Sequence, residues 1–428
     1  MSRRLRAALL CLFLAAAPAA ADGLRAGAAR ADITPPTGHP MWGYASRRDA
    51  PSVGVLDPLQ ARALVLEVGT QRVALVSLDL GRAPTRQSTA AIRAKVKETA
   101  GVGCVFLVAS HTHHGPVIEL DNWPTPKESY VRKLEQRLAD LIAEAAKNLQ
   151  PARVGVASKA VPFNRNRHTK LAEKPVDREL LVLRVEGADG KPIAHAVNFA
   201  AHPTMHDARV RKFSADYPGV LAALVEKETG APCLFLQGAA GDLSTNPGEA
   251  RGPDEFGRAL GREVLGLIKK VRCQEAERPT LQVREEDFRF KSRVDLGNKV
   301  IRAMYSAAFF PDLVAFYERE YREGVRPHLA VALLDGRIGF VGVSGEFFCS
   351  HSLTLKRRSR LEHVFFLGYC NDYQQYFPTI EAAAEGGYGA DPMVSPAEAG
   401  AGERVIDRAL VHLYQMRGKI PDLRIEKK

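Results

Sequence analysis

The sequence predicts an α/β fold in which mixed β-sheets are flanked by helices, with a functional site at the carboxyl ends of the strands. Three observations predict it. Short, continuously apolar runs recur along the chain, as buried strands require. Stretches with apolar residues at helical spacing precede several of those runs. Each run is followed at once by polar residues capable of chemistry, which is where open α/β sheets hold ligands.

The elements follow in order. Residues 61–68 and 72–80 are apolar-rich segments around Gly69-Thr70 and read as a β-hairpin. Residues 88–100 and 128–148 carry helical spacing, and the run 105–109 between them is a buried strand. Similar strands are expected at 194–201, 233–236, 338–343 and 364–367, with helices at 218–229, 255–272 and 306–324. No internal repeat interrupts the chain, so a single domain over 22–428 is expected.

With 428 residues, 46% of them hydrophobic, there is enough apolar material for a large core, which excludes a disordered chain or a disulfide-held miniprotein. The amino terminus is basic through Arg6, then apolar from Ala7 to Ala20, and closes on Ala19-Ala20-Ala21. Residues 1–21 therefore read as a signal peptide, and the protein is expected to be exported, periplasmic or extracellular. The formal charge is +11, but its lysines and arginines are scattered and no nucleic-acid motif accompanies them. A solvated surface is the first reading, and peripheral attraction to an anionic membrane surface the second. Beyond the leader, Cys104, Cys233, Cys273, Cys349 and Cys370 form no CxxC pair and read as buried thiols.

Five strand ends carry the chemistry. They lead into Ser110-His111-Thr112-His113-His114, His202-Pro203, Gln237 through Ser244, Ser344-Gly345-Glu346 and Gly368 through Tyr373. In an extended chain His111 and His113 would project to one face and reach one centre. With His202 and Glu346 they make the nitrogen and oxygen set of a metal site with an open position, although no spacing signature names the metal. Asp79 is a candidate either to orient a ligand histidine or to cap a loop. Phe309, Phe310, Leu313, Phe316 and Tyr317 read first as core and second as the lining of an acyl-chain pocket.

The ordered segments resemble a known family. They are Ala31-Asp32-Ile33-Thr34-Pro35-Pro36, Met41-Trp42-Gly43-Tyr44-Ala45, Asp57 through Glu67, Ser77-Leu78-Asp79-Leu80, the stretch at His111, Asn166-Arg167, His202, Gly241-Asp242-Leu243-Ser244, Gly345-Glu346-Phe347, and Asn371-Asp372-Tyr373 with Tyr376. In this order they resemble the catalytic domain of the neutral, non-lysosomal ceramidases, zinc amidases that hydrolyse the N-acyl bond of ceramide. Nothing matches the immunoglobulin-like carboxyl-terminal domain of full-length ceramidases.

The resemblance implies Zn²⁺ held by His111, His202, Glu346 and Tyr376. It implies proton transfer by His113, substrate contact by Arg167 and Ser244, and a carbonyl contact by Tyr388, twelve residues beyond Tyr376. This chain departs from the family at Pro203, at Thr245 after Ser244, and in Asn371-Asp372-Tyr373-Gln374-Gln375-Tyr376, which lacks the glycine before the ligand tyrosine. Tyr373 is thus a second candidate ligand, and Arg165 a second candidate for the arginine. Ser244 lacks a nucleophile elbow and reads as a loop-shaping residue. The expected activity is hydrolysis of an N-acyl amide, a ceramide-like lipid first, by metal-activated water. An ester or non-lipid amide substrate, or a non-catalytic exported binding protein, are the alternatives.

Overall fold

The structure, a computed structural model, describes residues 23–422 except Pro124 and Pro126; the expected leader over 1–21 lies outside the described residues. Eight strands form the main sheet: β1 (Arg25–Asp32), β2 (Gln60–Val68), β3 (Gln71–Leu78), β4 (Cys104–Ala109), β5 (Gln150–Ala160), β6 (Glu179–Gly187), β7 (Pro192–Phe199) and β8 (Cys233–Gln237). Their order is β8-β7-β6-β5-β1-β2-β3-β4. A second sheet orders β9 (Leu281–Asp287), β10 (His328–Leu334), β11 (Ile338–Val343) and β12 (His363–Leu367) in sequence. Parallel pairing is confined to β3 with β4, β7 with β8 and β11 with β12 among these two sheets. The remaining neighbours run antiparallel, so both sheets are mixed.

Side-chain alternation along the strands builds four layers. Ala63, Val65, Ala74 and Val76 face α1 (Arg86–Ala100) and α2 (Tyr130–Lys147), and Val182, Val197 and Phe235 face α3 (Asp216–Thr229) and α4 (Pro253–Ile268). The neighbours Leu64, Leu66, Leu75, Leu181 and Leu234 point the other way, onto Ala330, Ala332, Phe340 and Phe365 of the second sheet. Its outer residues Val331, Leu333, Val341 and Phe366 are covered by α6 (Pro311–Tyr321) and α8 (Ala401–Met416). The five cysteines among the described residues are free, and Cys104, Cys233, Cys349 and Cys370 are buried. No helix of the described residues is long and apolar enough to cross a membrane.

The expected hairpin is β2–β3, with Val68 opposite Gln71 around Gly69-Thr70. The expected helix over 306–324 is two helices, α5 (Lys299–Ala308) and α6, broken at Phe309-Phe310. Pro311 is the reason: it has no N–H to continue a helix, and it holds Phe310 extended at φ −75°, ψ 161°.

The two sheets are stapled where the strands end. The Asn198 amide donates to the carbonyls of Leu236 (2.7 Å) and Phe366 (2.9 Å), one from each sheet. Asn371 donates to Val105 O and accepts from Leu107 N, binding the loop after β12 to β4. Gly368 N donates to Gln237 O, and Ala109 N to Tyr369 O. The carboxyl ends of β4, β7, β8, β11 and β12 therefore open into one place.

Candidate active site

His111 and His202 are held alike. Each donates its Nδ1–H to a backbone carbonyl at 2.7 Å, His111 to Gly81 O and His202 to Ala240 O. That assigns the tautomer and leaves each Nε2 as a lone pair. The two Nε2 atoms face each other at 3.2 Å, and Glu346 Oε2 lies 3.3 Å from the first and 3.0 Å from the second. His113 Nε2 completes the group, 3.4 Å from His111 Nε2.

The strand pleat does not bring His111 and His113 together, as expected from an extended chain. His111 sits at φ 69°, in the left-handed region that is uncommon for histidine, and the chain turns there after β4 ends. The turn folds His113 back over His111, with ring centroids 5.0 Å apart. Asp79 does not orient a ligand histidine; its Oδ2 accepts from Gln60 N and pairs with Arg62 at 3.2 Å. The orienting acceptors are the carbonyls of Gly81 and Ala240, which no side-chain pattern could reveal.

Tyrosines fix the carboxylate. Tyr373 O–H donates to Glu346 Oε1 at 2.5 Å and Tyr369 O–H to Oε2 at 3.3 Å. Burial raises the pKa of Glu346, but His111 and His202 overcome it and hold the carboxyl well below its usual range. Burial, helped by Arg167, pushes His202 down to about 4, and burial with the neighbouring imidazoles pushes His113 well below 6.5. The Nε2 atoms of His111 and His202 converge on the Glu346 carboxylate. The ligating nitrogens of His111, His113 and His202 lie within 4.8 Å of one another. Such a donor set fits a divalent cation.

Arg167 reaches the same point. Its Nη2 donates to His202 Nε2 (2.9 Å), to the backbone carbonyl of Gly241 (3.0 Å) and to the phenol oxygen of Tyr376 (3.2 Å). Its backbone N–H is held by Asp242 O, and the Asp242 carboxylate accepts from Asn166 and from Cys349 N at the start of α7 (Cys349–Ser359). Arg165, by contrast, is exposed and reaches only Thr245 O. Tyr376 is 5% exposed and packs against Tyr388, which is 67% exposed, with ring centroids 5.6 Å apart. Ser244 is half-buried beside His202 in a short backbone bridge, and its Oγ makes no hydrogen bond among the described residues. The structure thus gathers His111, His113, His202, Glu346, Arg167 and Tyr376, sets Tyr388 at the rim, and leaves Ser244 as a backbone contact.

A cavity of about 360 Å³ opens onto the cluster. His111, His113, Glu346, Tyr373, Tyr376 and Tyr388 line it together with the apolar Met41, Val117, Met304, Phe309, Phe310, Leu313 and the ring of Tyr317. Four of the five residues read first as core therefore face the cavity, while Phe316 packs elsewhere, against Arg82. Trp42 also lines the cavity, with its ring edge-on to His111 (5.1 Å), His113 (5.6 Å) and Tyr373 (5.5 Å). Trp42 was legible only as part of a motif, and Tyr369 only as part of a strand-end loop.

Three comparisons with known proteins bear on this site. The model of the family described as neutral/alkaline non-lysosomal ceramidase, N-terminal, matches residues 24–256. The neutral ceramidase of Pseudomonas aeruginosa is 29% identical over 345 residues, 72% of this chain and 50% of that protein, so the chain spans about half the length of this relative. The crystal structure of neutral ceramidase from Pseudomonas aeruginosa superposes with a TM-score of 0.76 at 20% identity, covering 93% of this chain and 75% of that one. A ceramidase complexed with C2 superposes with the same TM-score at 19% identity, over 93% and 76%. These two share the mixed α/β fold described above. The chain belongs to the neutral/alkaline non-lysosomal ceramidase family.

Proposed function

We propose that the protein is a metal-dependent hydrolase that cleaves the N-acyl amide of a ceramide-like lipid. One observation carries the reading: an apolar cavity ends on a cluster of imidazole and carboxylate lone pairs that suits a divalent cation. The names of its relatives, a neutral ceramidase and a ceramidase complexed with C2, support the substrate class. His111, His202 and Glu346 would hold the cation, with Tyr376 as the fourth ligand and Zn²⁺ as the metal that this donor set suits. When bound, the cation supplies Lewis acidity and lowers the pKa of a coordinated water.

The chain's own groups do the rest. His113 differs from the two ligand histidines in that its Nδ1 has no hydrogen-bond partner, so no carbonyl locks its tautomer. It is free to accept the water's proton on one nitrogen and to return a proton to the leaving amine, without which an amide nitrogen departs poorly. Arg167, whose guanidinium lies 5.9 Å from the centroid of the Tyr388 ring, and the Tyr388 hydroxyl would stabilise the tetrahedral oxyanion. Tyr373 and Tyr369 hold the Glu346 carboxylate in place through their hydroxyls. Ser244 shapes the loop whose carbonyls orient His202. Water adds to the carbonyl carbon, the C–N bond breaks, and a fatty acid and an amine leave.

Export through residues 1–21 belongs to the same proposal. So does contact with an anionic membrane surface, which suits the net positive charge that remains when Arg3, Arg4 and Arg6 leave with residues 1–21, and the exposed Val300, Met304 and Tyr388 beside Lys299, Arg302 and Arg48. The test is release of fatty acid from N-acyl compounds of graded acyl length, with and without a chelator. Chelator-sensitive turnover that rises with acyl length supports the reading. Turnover of esters alone, or turnover blind to acyl length, would overturn it.

A further inference from the structure

The segment after β3 carries a second feature that the site does not explain. Arg82 is 1% exposed, and its guanidinium lies between two equally buried carboxylates, with Nη2 2.9 Å from Asp372 Oδ1 and Nη1 3.5 Å from Glu119 Oε1. Both carboxylates lead to the cavity. Glu119 Oε1 accepts the indole N–H of Trp42 at 3.0 Å, and it lies 3.5 Å from the hydroxyl of Tyr317 on the cavity wall. Asp372 precedes Tyr373, and the Arg82 guanidinium lies over the Tyr373 ring, 5.4 Å from its centroid. Gly81, the residue before Arg82, supplies the carbonyl that orients His111.

Buried ion groups of this kind contribute little to stability compared with an apolar filling of the same shape, because their desolvation offsets their attraction. What an apolar filling would not supply is direction: a fixed acceptor for Trp42, a fixed backbone at Gly81 and a fixed ring at Tyr373.

We propose that Arg82, with Glu119 and Asp372, is a positioning group for the reaction. It sets Trp42 and Tyr373 around His113 and Glu346, and so governs turnover rather than substrate affinity. The inference deepens the reading of the same site as a hydrolase and rests on it for its kinetic part only.

Replacing Arg82 alone strands two buried carboxylates and threatens folding, so the test uses the variant R82M/E119Q/D372N. It removes all three charges and keeps the sizes and the acceptor oxygens. Trp42 and Trp123 are the two tryptophans of the chain, so a W123F background reports Trp42 alone. The expected result is a folded protein with the same metal content, acrylamide quenching of Trp42 raised several-fold, and kcat lower by about 10 to 100-fold with KM within about threefold, the range typical of groups that orient ligands. Restoring Arg82 and Asp372 in the E119Q single variant should recover most of the loss in both readouts. Unchanged quenching in the folded triple variant would overturn the proposal, whatever the substrate proves to be. Unchanged kcat, or a loss confined to KM, would overturn it equally. If no form hydrolyses an amide, the reading of the activity fails while the quenching still decides the positioning role.

Discussion

Gly81→Ala perturbs the site through a single methyl group. An ideal Cβ at Gly81 would lie 2.2 Å from Trp42 Cε3 and 2.5 Å from Cδ2, where carbon atoms normally approach to about 3.5–4.0 Å. Something must move by more than about 1 Å. The indole cannot give easily, since its N–H is tied to Glu119 and its faces and edges meet His111, His113 and Tyr373. The displacement therefore passes to the backbone at Gly81, whose carbonyl sets the His111 ring. Overpacking of this kind costs about 1–3 kcal/mol of stability, and a misplacement of about 1 Å at a reacting centre costs roughly 10²-fold in rate. We expect a folded variant with metal bound more weakly and kcat reduced about 100-fold, read by fatty-acid release and by metal titration. Gly266→Ala is the control: it lies in α4, and its Cβ would meet nothing within 4 Å. A Gly81→Ala protein with the kcat and metal affinity of the parent would refute the reasoning.

Three further outcomes are expected. Arg62 is 4% exposed and holds Asp79 at 3.2 Å and Glu226 at 2.6 Å; Arg62→Met should therefore lower stability to urea by about 3–5 kcal/mol, and a loss under about 1 kcal/mol would contradict the pairing. Burial lowers the pKa of His328, but the carboxylates of Asp287 and Glu285 raise it further, to a net value above 6.5. Its stabilisation is present below that pH and is lost as pH rises through the raised folded value, so His328→Asn should flatten the fall of Tm just above pH 6.5, and parallel Tm curves would count against it. Tyr376→Phe should weaken metal binding by about 10-fold or more, whereas Tyr373→Phe, which touches the other oxygen of Glu346, should weaken it less. The reverse order in a metal titration would make Tyr373 the ligand.

Much of this was legible in the residues. The buried strands announce themselves as apolar runs because both faces of each are covered, by helices on one side and the other sheet on the other. For the same reason the polar residues after β4, β7, β11 and β12 stand out in sequence. The order of the strands was not legible, since Ala, Val and Leu face both covered sides alike and carry no pairing code. The conformation at His111 was hidden too, because a histidine in the left-handed region is set by the tight passage between Leu80 O, which accepts its N–H, and the cavity. Helical spacing ran straight across 306–324, and only the weight given to Pro311 could have broken it. Asp79 looked free to serve a histidine because nothing local in sequence marks Arg62 as its partner, seventeen residues away on the neighbouring strand.

In the proposed mechanism His111, His202 and Glu346, entering from separate strand ends, hold one divalent cation, while His113 handles protons beside it. Metal content of the purified protein tests it most directly. One cation per chain is expected in the parent and in His113→Ala, and none in His111→Ala or His202→Ala. Undiminished metal in both of those variants, or its loss from His113→Ala, would contradict it.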